Sequence, residues 1–439
     1  MTAREDAVRR LQRIEAEGAY TALVESSAGA LSERDARFVT ELVSGVTRWR
    51  RWLDYLISQF YRGDSAQLDP VVRQILRIGI YELLIIANAP HAAVHEAVNL
   101  TRRLGYSRAA GLVNAMLRNI TRSRDDLPEP ATGDRSRDLS IRYSHPTWIT
   151  RRWLRQFGED ETRDLLSWSN RRPRYGVRVN LRKIAIDDFL VQLDALGVQW
   201  SRSPYLDEFV RIESLQPLVR GGLLREGMCV VQDEGAGLVV RVLDPDPGES
   251  VMDACAAPGG KALYAAERMD DRGLLLAVDV NESRLRLVSS AAERLGLTSV
   301  NISFGDARQM ADLAAGKVFD RILIDAPCSG LGVLNKRADL RWRRTADHLR
   351  ELVVLQRQLL DAAITAVKPG GLVVYSTCSI DPEENEHQVE SFLERHPDFQ
   401  LDSARGLIAD ELVAEEGYYR SIPSRHGIDG AFAARMIRR

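Results

Sequence analysis

The chain has 439 residues, 45% of them hydrophobic, enough for a large core and for about three domains of ordinary size. No apolar run reaches membrane-spanning length, and the charged start Met-Thr-Ala-Arg-Glu-Asp offers no signal-peptide segment, so the expected place is the cytoplasm. A net charge of −2 excludes a protein that coats nucleic acid by bulk charge, although local basic faces fit within it, and cysteines at 229, 255, 328 and 378 lack the spacing of a zinc site or disulfide framework.

Residues 1–125 read as an all-α domain. Asp69-Pro70 is an N-cap followed by proline at the first helical position, and Val72, Ile75, Leu76, Gly79 and Leu83 follow at helical spacing. Ser107 opens a further helix with Leu112, Val113, Met116, Leu117 and Ile120 on one face, and 32–60 reads as two helices. Arginines cluster at Arg9, Arg10 and Arg13, at Arg48, Arg50 and Arg51, and at Arg102, Arg103 and Arg108; each cluster is either a solvated helix face or an RNA contact. His91 and His95 stand four apart but lack the glutamate of a zinc-protease motif, so no metal is expected.

A polar, breaker-rich linker is expected at 126–140, then a small α/β module over 141–226 with strands at 175–181 and 208–212 around a helix at 187–196. Arg171, Arg172, Arg174, Arg178, Arg182 and Lys183 crowd its first strand beside Tyr175, a mixture suited to RNA backbone contact and base stacking. Only five of the 60 basic residues are lysines, so Lys261 within a motif draws notice.

Over 227–439 strands alternate with helices, the pattern of a doubly wound, Rossmann-like parallel sheet, with strands expected at 228–232, 250–253, 274–280, 300–304, 319–325 and 372–376 and a last edge strand near 429–437. The loop after the strand expected at 250–253 reads Cys255-Ala256-Ala257-Pro258-Gly259-Gly260-Lys261, whose small residues let a ligand approach the backbone and the following helix N-terminus. It is neither a dinucleotide fingerprint nor a phosphate loop. Asp279 and Asp306 end the next two strands, where an acid holds ribose hydroxyls, so the set favours S-adenosylmethionine over NAD. Cys328, in Asp325-Ala-Pro-Cys328, and Cys378, in Ser376-Thr-Cys378, stand just past two strand ends, which points to covalent chemistry on an electrophilic ring. Such chemistry needs a nucleophile and a release step; by itself it does not say which cysteine does which.

Together these motifs resemble the RNA cytosine-C5 methyltransferases of the NOL1/NOP2/Sun family, and the resemblance covers the chain from about Tyr143 to its end. The helical region resembles a NusB-type RNA-binding domain, which within the family implies a bacterial enzyme acting on 16S rRNA. The resemblance implies S-adenosylmethionine held by residues 255–261, Asp279, Asp306 and Asp325. It also implies Cys378 as the nucleophile and Cys328 as the group that releases product, with Asp325 at cytosine N3. The stretch from Asn335 to Arg344, mixing cations with Trp342, is expected to clamp RNA beside a flipped base, and the acids after Pro382 to suit a helix dipole. The expected partner is RNA, without membrane or metal, and the expected state a monomer. A different class remains: a non-catalytic NusB-like RNA-binding or antitermination factor, or the same chemistry on tRNA or 23S rRNA.

Overall fold

The computed structural model describes residues 1–17 and 31–439, so the part of the helical expectation covering 18–30 lies outside the described residues. The chain divides into two units, 1–171 with 334–345, and 172–333 with 346–439. Among the described residues no helix is long and apolar enough to cross a membrane.

In the first unit, helices Ala3–Glu17, Glu33–Phe60, Pro70–Leu84, Pro90–Arg103 and Ala110–Arg122 form the bundle. Their starts follow the sequence: Ser32 accepts the Asp35 N–H, and Asp69 accepts that of Val71 ahead of Pro70. Val39, Leu42, Val46, Leu53, Ile75, Leu76, Val113 and Leu117 are buried together, the helical period made into a core. Residues 32–60 form one 28-residue helix and not two, because no proline interrupts it and Gly45 gives space to the Tyr81 ring instead of opening a turn. The expected linker carries a helix, Arg135–Arg142, started by Asp134, which accepts the Ser136 and Arg137 N–H groups. Helix Thr147–Trp168 follows, broken at Gly158, whose φ of 75° no other residue type adopts cheaply.

Two of the clustered arginines, expected either on a solvated helix face or at RNA, serve this unit's interior instead. Arg48 donates to the Asn335 carbonyl at 2.8 Å, and Arg51 donates to the His145 carbonyl and to Thr147 Oγ1. The expected RNA clamp is likewise folded in. Arg341 is 0% exposed and donates to the carbonyls of Arg48, Ser144, Ser169 and Leu334 and to Asn170 Oδ1. Trp342 donates to the Thr47 carbonyl at 2.6 Å while the Arg50 guanidinium lies 4.4 Å from its ring centroid. The alternation of cations and an indole is therefore a docking pattern, with donors matched to the helix and loop carbonyls they meet.

The second unit has two sheets. Strands β1 (Tyr175–Val179), β2 (Trp200–Arg202), β3 (Phe209–Ile212) and β4 (Cys229–Val231) form an antiparallel sheet in the order β2-β3-β1-β4. The segment 228–232, expected to open the parallel sheet, instead pairs with β1, and its Cys229 is a buried apolar-strand thiol pushed up to about 12 by burial. Two of the basic residues on β1 and just beyond it are structural. Arg178 is buried against Gln232, Glu267 and the Tyr264 ring, and Lys183 donates to the carbonyls of Glu226 and Arg294.

The large sheet is built from β5 (Ser250–Asp253), β6 (Leu274–Asp279), β7 (Val300–Phe304), β8 (Phe319–Asp325), β9 (Val367–Thr377), β10 (Phe399–Asp402), β11 (Tyr419–Ser421) and β12 (Ala431–Arg438). Its order is β10-β12-β9-β8-β5-β6-β7, with β11 beside β12; β5 to β9 run parallel, and β12 is the expected antiparallel strand. Helices cover both faces, as near-continuous apolar strands such as β9 require. The chain winds one way from β5 through β6 to β7, then crosses back to β8. This makes the β5/β8 boundary the switch point where such sheets bind ligands.

Candidate active site

Every motif singled out in this sheet lies at its carboxyl edge. The loop after β5 is pinned on one side by Asp279, which accepts the Ala257 N–H at 3.1 Å and the Asn281 N–H at 2.9 Å, and by the Ala256 N–H donating to the Val278 carbonyl. Gly259 has a φ of 106° and lies where a Cβ would press on Leu263 and Val288, so the turn into helix Gly260–Arg268 requires glycine. Asp306 caps the turn after β7 and pairs with Arg308. Residues 255–260, Asp279 and Asp306 thus line the β5–β6–β7 half of the edge.

Asp253 was not singled out from the sequence. It is 1% exposed, its Oδ1 accepts the Cys255 N–H, and its Oδ2 has no hydrogen-bond partner. Burial, then the neighbouring Asp325 charge, pushes its carboxyl up to about 7. Its position as the last residue of β5, buried by both neighbouring parallel strands, is the signal that could have found it. Cys255 is half-buried, and burial with the nearby carboxylates holds its thiol well above the ordinary range, so it is chemically quiet.

The other half carries the thiols. Asp325 ends β8; its Oδ2 accepts from Lys261 Nζ at 2.7 Å and its Oδ1 from Ser376 Oγ at 3.0 Å. Burial pulls Lys261 down, but the Asp325 charge and hydrogen bond, with Cys378 and Asp253 acting in the same direction, together keep it above its usual value. Cys328 Sγ and Cys378 Sγ are 3.1 Å apart, and the Cys378 N–H points at Cys328 Sγ at 3.3 Å. The Gly332 N–H donates to the Cys378 carbonyl, tying the two loops together. Lys261, Asp325, Cys328 and Cys378 therefore meet in one place, from three different motifs.

The acids after Pro382 do more than suit a dipole. Glu384 is fully buried: its Oε1 accepts the Ser329 N–H at 2.7 Å and Gln356 Nε2 at 3.1 Å, and its Oε2 accepts from Ser329 Oγ. Gln356 also donates to the Pro327 carbonyl at 2.9 Å. Asn385 accepts from Thr377 Oγ1 and donates to the Ser379 carbonyl, gripping the Cys378 loop in the same way.

On the helical bundle, a groove of about 720 Å³ runs between helices Pro90–Arg103 and Ala110–Arg122. His91, His95, Arg102, Asn114, Arg118 and Arg122 line it and no carboxylate does. Arg102 belongs to a cluster noted in the sequence; Arg118 and Arg122, on the next helix, were missed because sequence clustering does not register residues that only the fold brings together.

Comparison with known proteins bears on each region. A family model described as 16S rRNA methyltransferase RsmB/F matches residues 240–437, the NusB family matches 1–122, and an RsmF/B-like ferredoxin-like domain matches 145–218. A Bacillus subtilis protein named probable ribosomal RNA small subunit methyltransferase B is 33% identical over 442 residues, spanning 99% of this chain and 98% of that one. The ribosomal RNA small subunit methyltransferase B of Klebsiella pneumoniae is 33% identical over 409 residues, covering 93% and 91%. Among solved structures, that of PH0851 superposes with a TM-score of 0.79 at 29% identity, covering 99% of this chain and 97% of its own. A methyltransferase homolog from Pyrococcus horikoshii has a TM-score of 0.61 at 28% identity, covering 71% and 100%.

Proposed function

Because the chain belongs to the RsmB/F family of 16S rRNA methyltransferases, with a NusB domain, a ferredoxin-like module and a Rossmann-like transferase domain, we propose that it methylates C5 of a cytosine in 16S rRNA through a covalent cysteine–C6 adduct. The observation that carries this reading is the pair of thiols 3.1 Å apart beside the Lys261–Asp325 ion pair. We assign residues 1–125 to RNA binding, 126–140 to a connection, 141–226 to a second RNA-binding module and 227–439 to catalysis, in a monomer acting in the cytoplasm.

Cytosine C5 is a weak nucleophile until a thiolate adds at C6 and makes the ring enamine-like. Cys378 is the adding group. As it adds, electron density builds toward N3; Asp325, held by Lys261 and Ser376, meets that position and supports its protonation. S-adenosylmethionine, when bound, supplies the methyl group to C5. The C5 proton then leaves to Cys328 or to a water beside it, the C5–C6 double bond re-forms, the C6–S electron pair returns to Cys378, and N3 gives up its proton again on the Asp325 side.

The residues present fit that cofactor. The loop 255–261 gives close backbone approach and a helix N-terminus, Asp279 and Asp306 are acids at successive strand ends, and the buried, unpartnered Asp253 Oδ2 calls for a cation such as the methionine ammonium. Since Asp253 takes up a proton on folding, cofactor affinity is expected to strengthen about tenfold between pH 6 and pH 8 as that proton is lost. Titration calorimetry in wild type and Asp253→Asn checks this; the variant should bind weakly with a flat profile. The same group makes the unliganded protein's stability fall as pH rises from about 4 toward 7.

RNA is the partner, and the bundle groove is one seat for its phosphates: Arg102, Arg118 and Arg122 line it and none of them pairs with a carboxylate among the described residues. Changing all three to glutamine is expected to lower the slope of log affinity against log salt by about two to three. Filter binding to 16S rRNA over a salt series reads it, and an unchanged slope removes the groove from the interface. Labelled-methyl transfer to 16S rRNA, followed by nucleoside analysis for 5-methylcytidine, tests the activity as a whole.

A further inference from the structure

Two thiols 3.1 Å apart do not both ionise: the second thiolate would face the first across a contact distance. Something around them must decide which keeps the proton. The charged and titratable groups near the pair differ from one side to the other. On the Cys378 side, Lys261 reaches in from the helix after β5, its ammonium already held by Asp325 at the end of β8. On the Cys328 side stand Glu384, from the loop after β9, and the Tyr375 hydroxyl, which donates to the Glu384 carbonyl.

Glu384 is unusual in being buried, acidic and without a basic partner in its hydrogen-bond set. Burial pushes its carboxyl up from the ordinary value, and against this the Ser329 N–H, Ser329 Oγ, Ser379 Oγ and Gln356 Nε2 all donate to it. Donors that all point at one carboxylate favour its charged form and offset part of the burial cost. The residue bonded to Cys328 in sequence is thus tied directly to that carboxylate, and Gln356 fixes Pro327 on the other side. The tripeptide Pro327-Cys328-Ser329 is clamped with a negative charge beside its thiol.

We propose that Glu384 is a positioning residue that holds Cys328 as the protonated member of the thiol pair, leaving Cys378 as the one that ionises and attacks. This rests on the cysteine chemistry proposed above and supplies from the structure an order of roles that motif chemistry alone leaves open. The hydrogen bond to the Cys378 sulfur, then burial, then the Cys378 and Glu384 charges push the Cys328 thiol up, in agreement.

The test needs neither RNA nor cofactor, so it stands apart from whether methyl transfer is observed. In a Cys378→Ser background, the rate at which iodoacetamide modifies Cys328 at pH 7.5 is followed by peptide mass spectrometry, with and without Glu384→Gln. Removing the charge is expected to speed modification about tenfold, one unit of thiol acidity. Ser329→Ala, which removes a hydrogen bond but keeps the carboxylate, is expected to produce no such acceleration. An unchanged or slower rate in a Glu384→Gln protein with a native melting profile overturns the proposal. If that variant does not fold, the wild-type protein decides: partial alkylation at pH 7 is expected to label Cys378 before Cys328, and the reverse order overturns it.

Discussion

Cys378→Ala is expected to abolish methyl transfer, by at least about 10³-fold, and to leave no RNA attached to the protein, whereas Cys328→Ala is expected to accumulate a protein–RNA adduct that survives denaturing electrophoresis. The asymmetry follows from the order of bonds. Without the Cys378 sulfur no bond to C6 forms and C5 never becomes nucleophilic, so every later step is lost. Without Cys328 the first bond still forms and the methyl group still transfers, but removal of the C5 proton slows and the C6–S bond persists. The two thiols are in contact and their loops are tied together by the Gly332 N–H to Cys378 carbonyl bond, so removal of either loosens the same packing; a different outcome from the two substitutions therefore reports role and not local disruption. Adducts in Cys378→Ala but not in Cys328→Ala would reverse the assignment.

Arg341→Ala is expected to destabilise the unit formed by 1–171 and 334–345 by about 3–5 kcal/mol, among the largest effects a single side chain can have. Arg341 is 0% exposed and its hydrogen-bond partners are carbonyl oxygens alone, of Arg48, Ser144, Ser169, Leu334 and the Asn170 side chain. Burial and the neighbouring Arg48 guanidinium hold it well below the ordinary arginine value, so its charge is tolerated only through those bonds. Truncation leaves the acceptors buried and unpaired. Arg341→Lys is not expected to rescue, because one ammonium cannot reach acceptors spread across a planar fork. Urea denaturation followed by hydrogen exchange of peptides within 1–171 measures the loss; a change below about 1 kcal/mol would contradict this account.

The elements with strong local signals were legible in the sequence: the Asp69-Pro70 helix start, the apolar runs of β5 to β9, and the breaks that put Cys255, Asp325 and Cys378 at strand ends. What was not legible depends on partners distant in sequence. Arg341 and Trp342 carry the composition of an RNA clamp, and only the carbonyls of residues 47, 48, 144 and 169 turn them inward. The 228–232 strand is apolar in either sheet, and its antiparallel register with β1 decides where it goes. Asp253 and Glu384 look like surface acids in a string of letters; burial raises both carboxyls, and only Glu384 is given a ring of donors to offset it. The candidate site was legible as motifs but not as a circuit.

The most direct measurement of the central claim is transfer of labelled methyl from S-adenosylmethionine to unmodified 16S rRNA by the wild-type protein, with the product digested to nucleosides and the modified position mapped by bisulfite sequencing. The account predicts label in 5-methylcytidine at a defined cytosine and its loss in Cys378→Ala. Label in any other nucleoside, or 5-methylcytidine formed undiminished by Cys378→Ala, would contradict it.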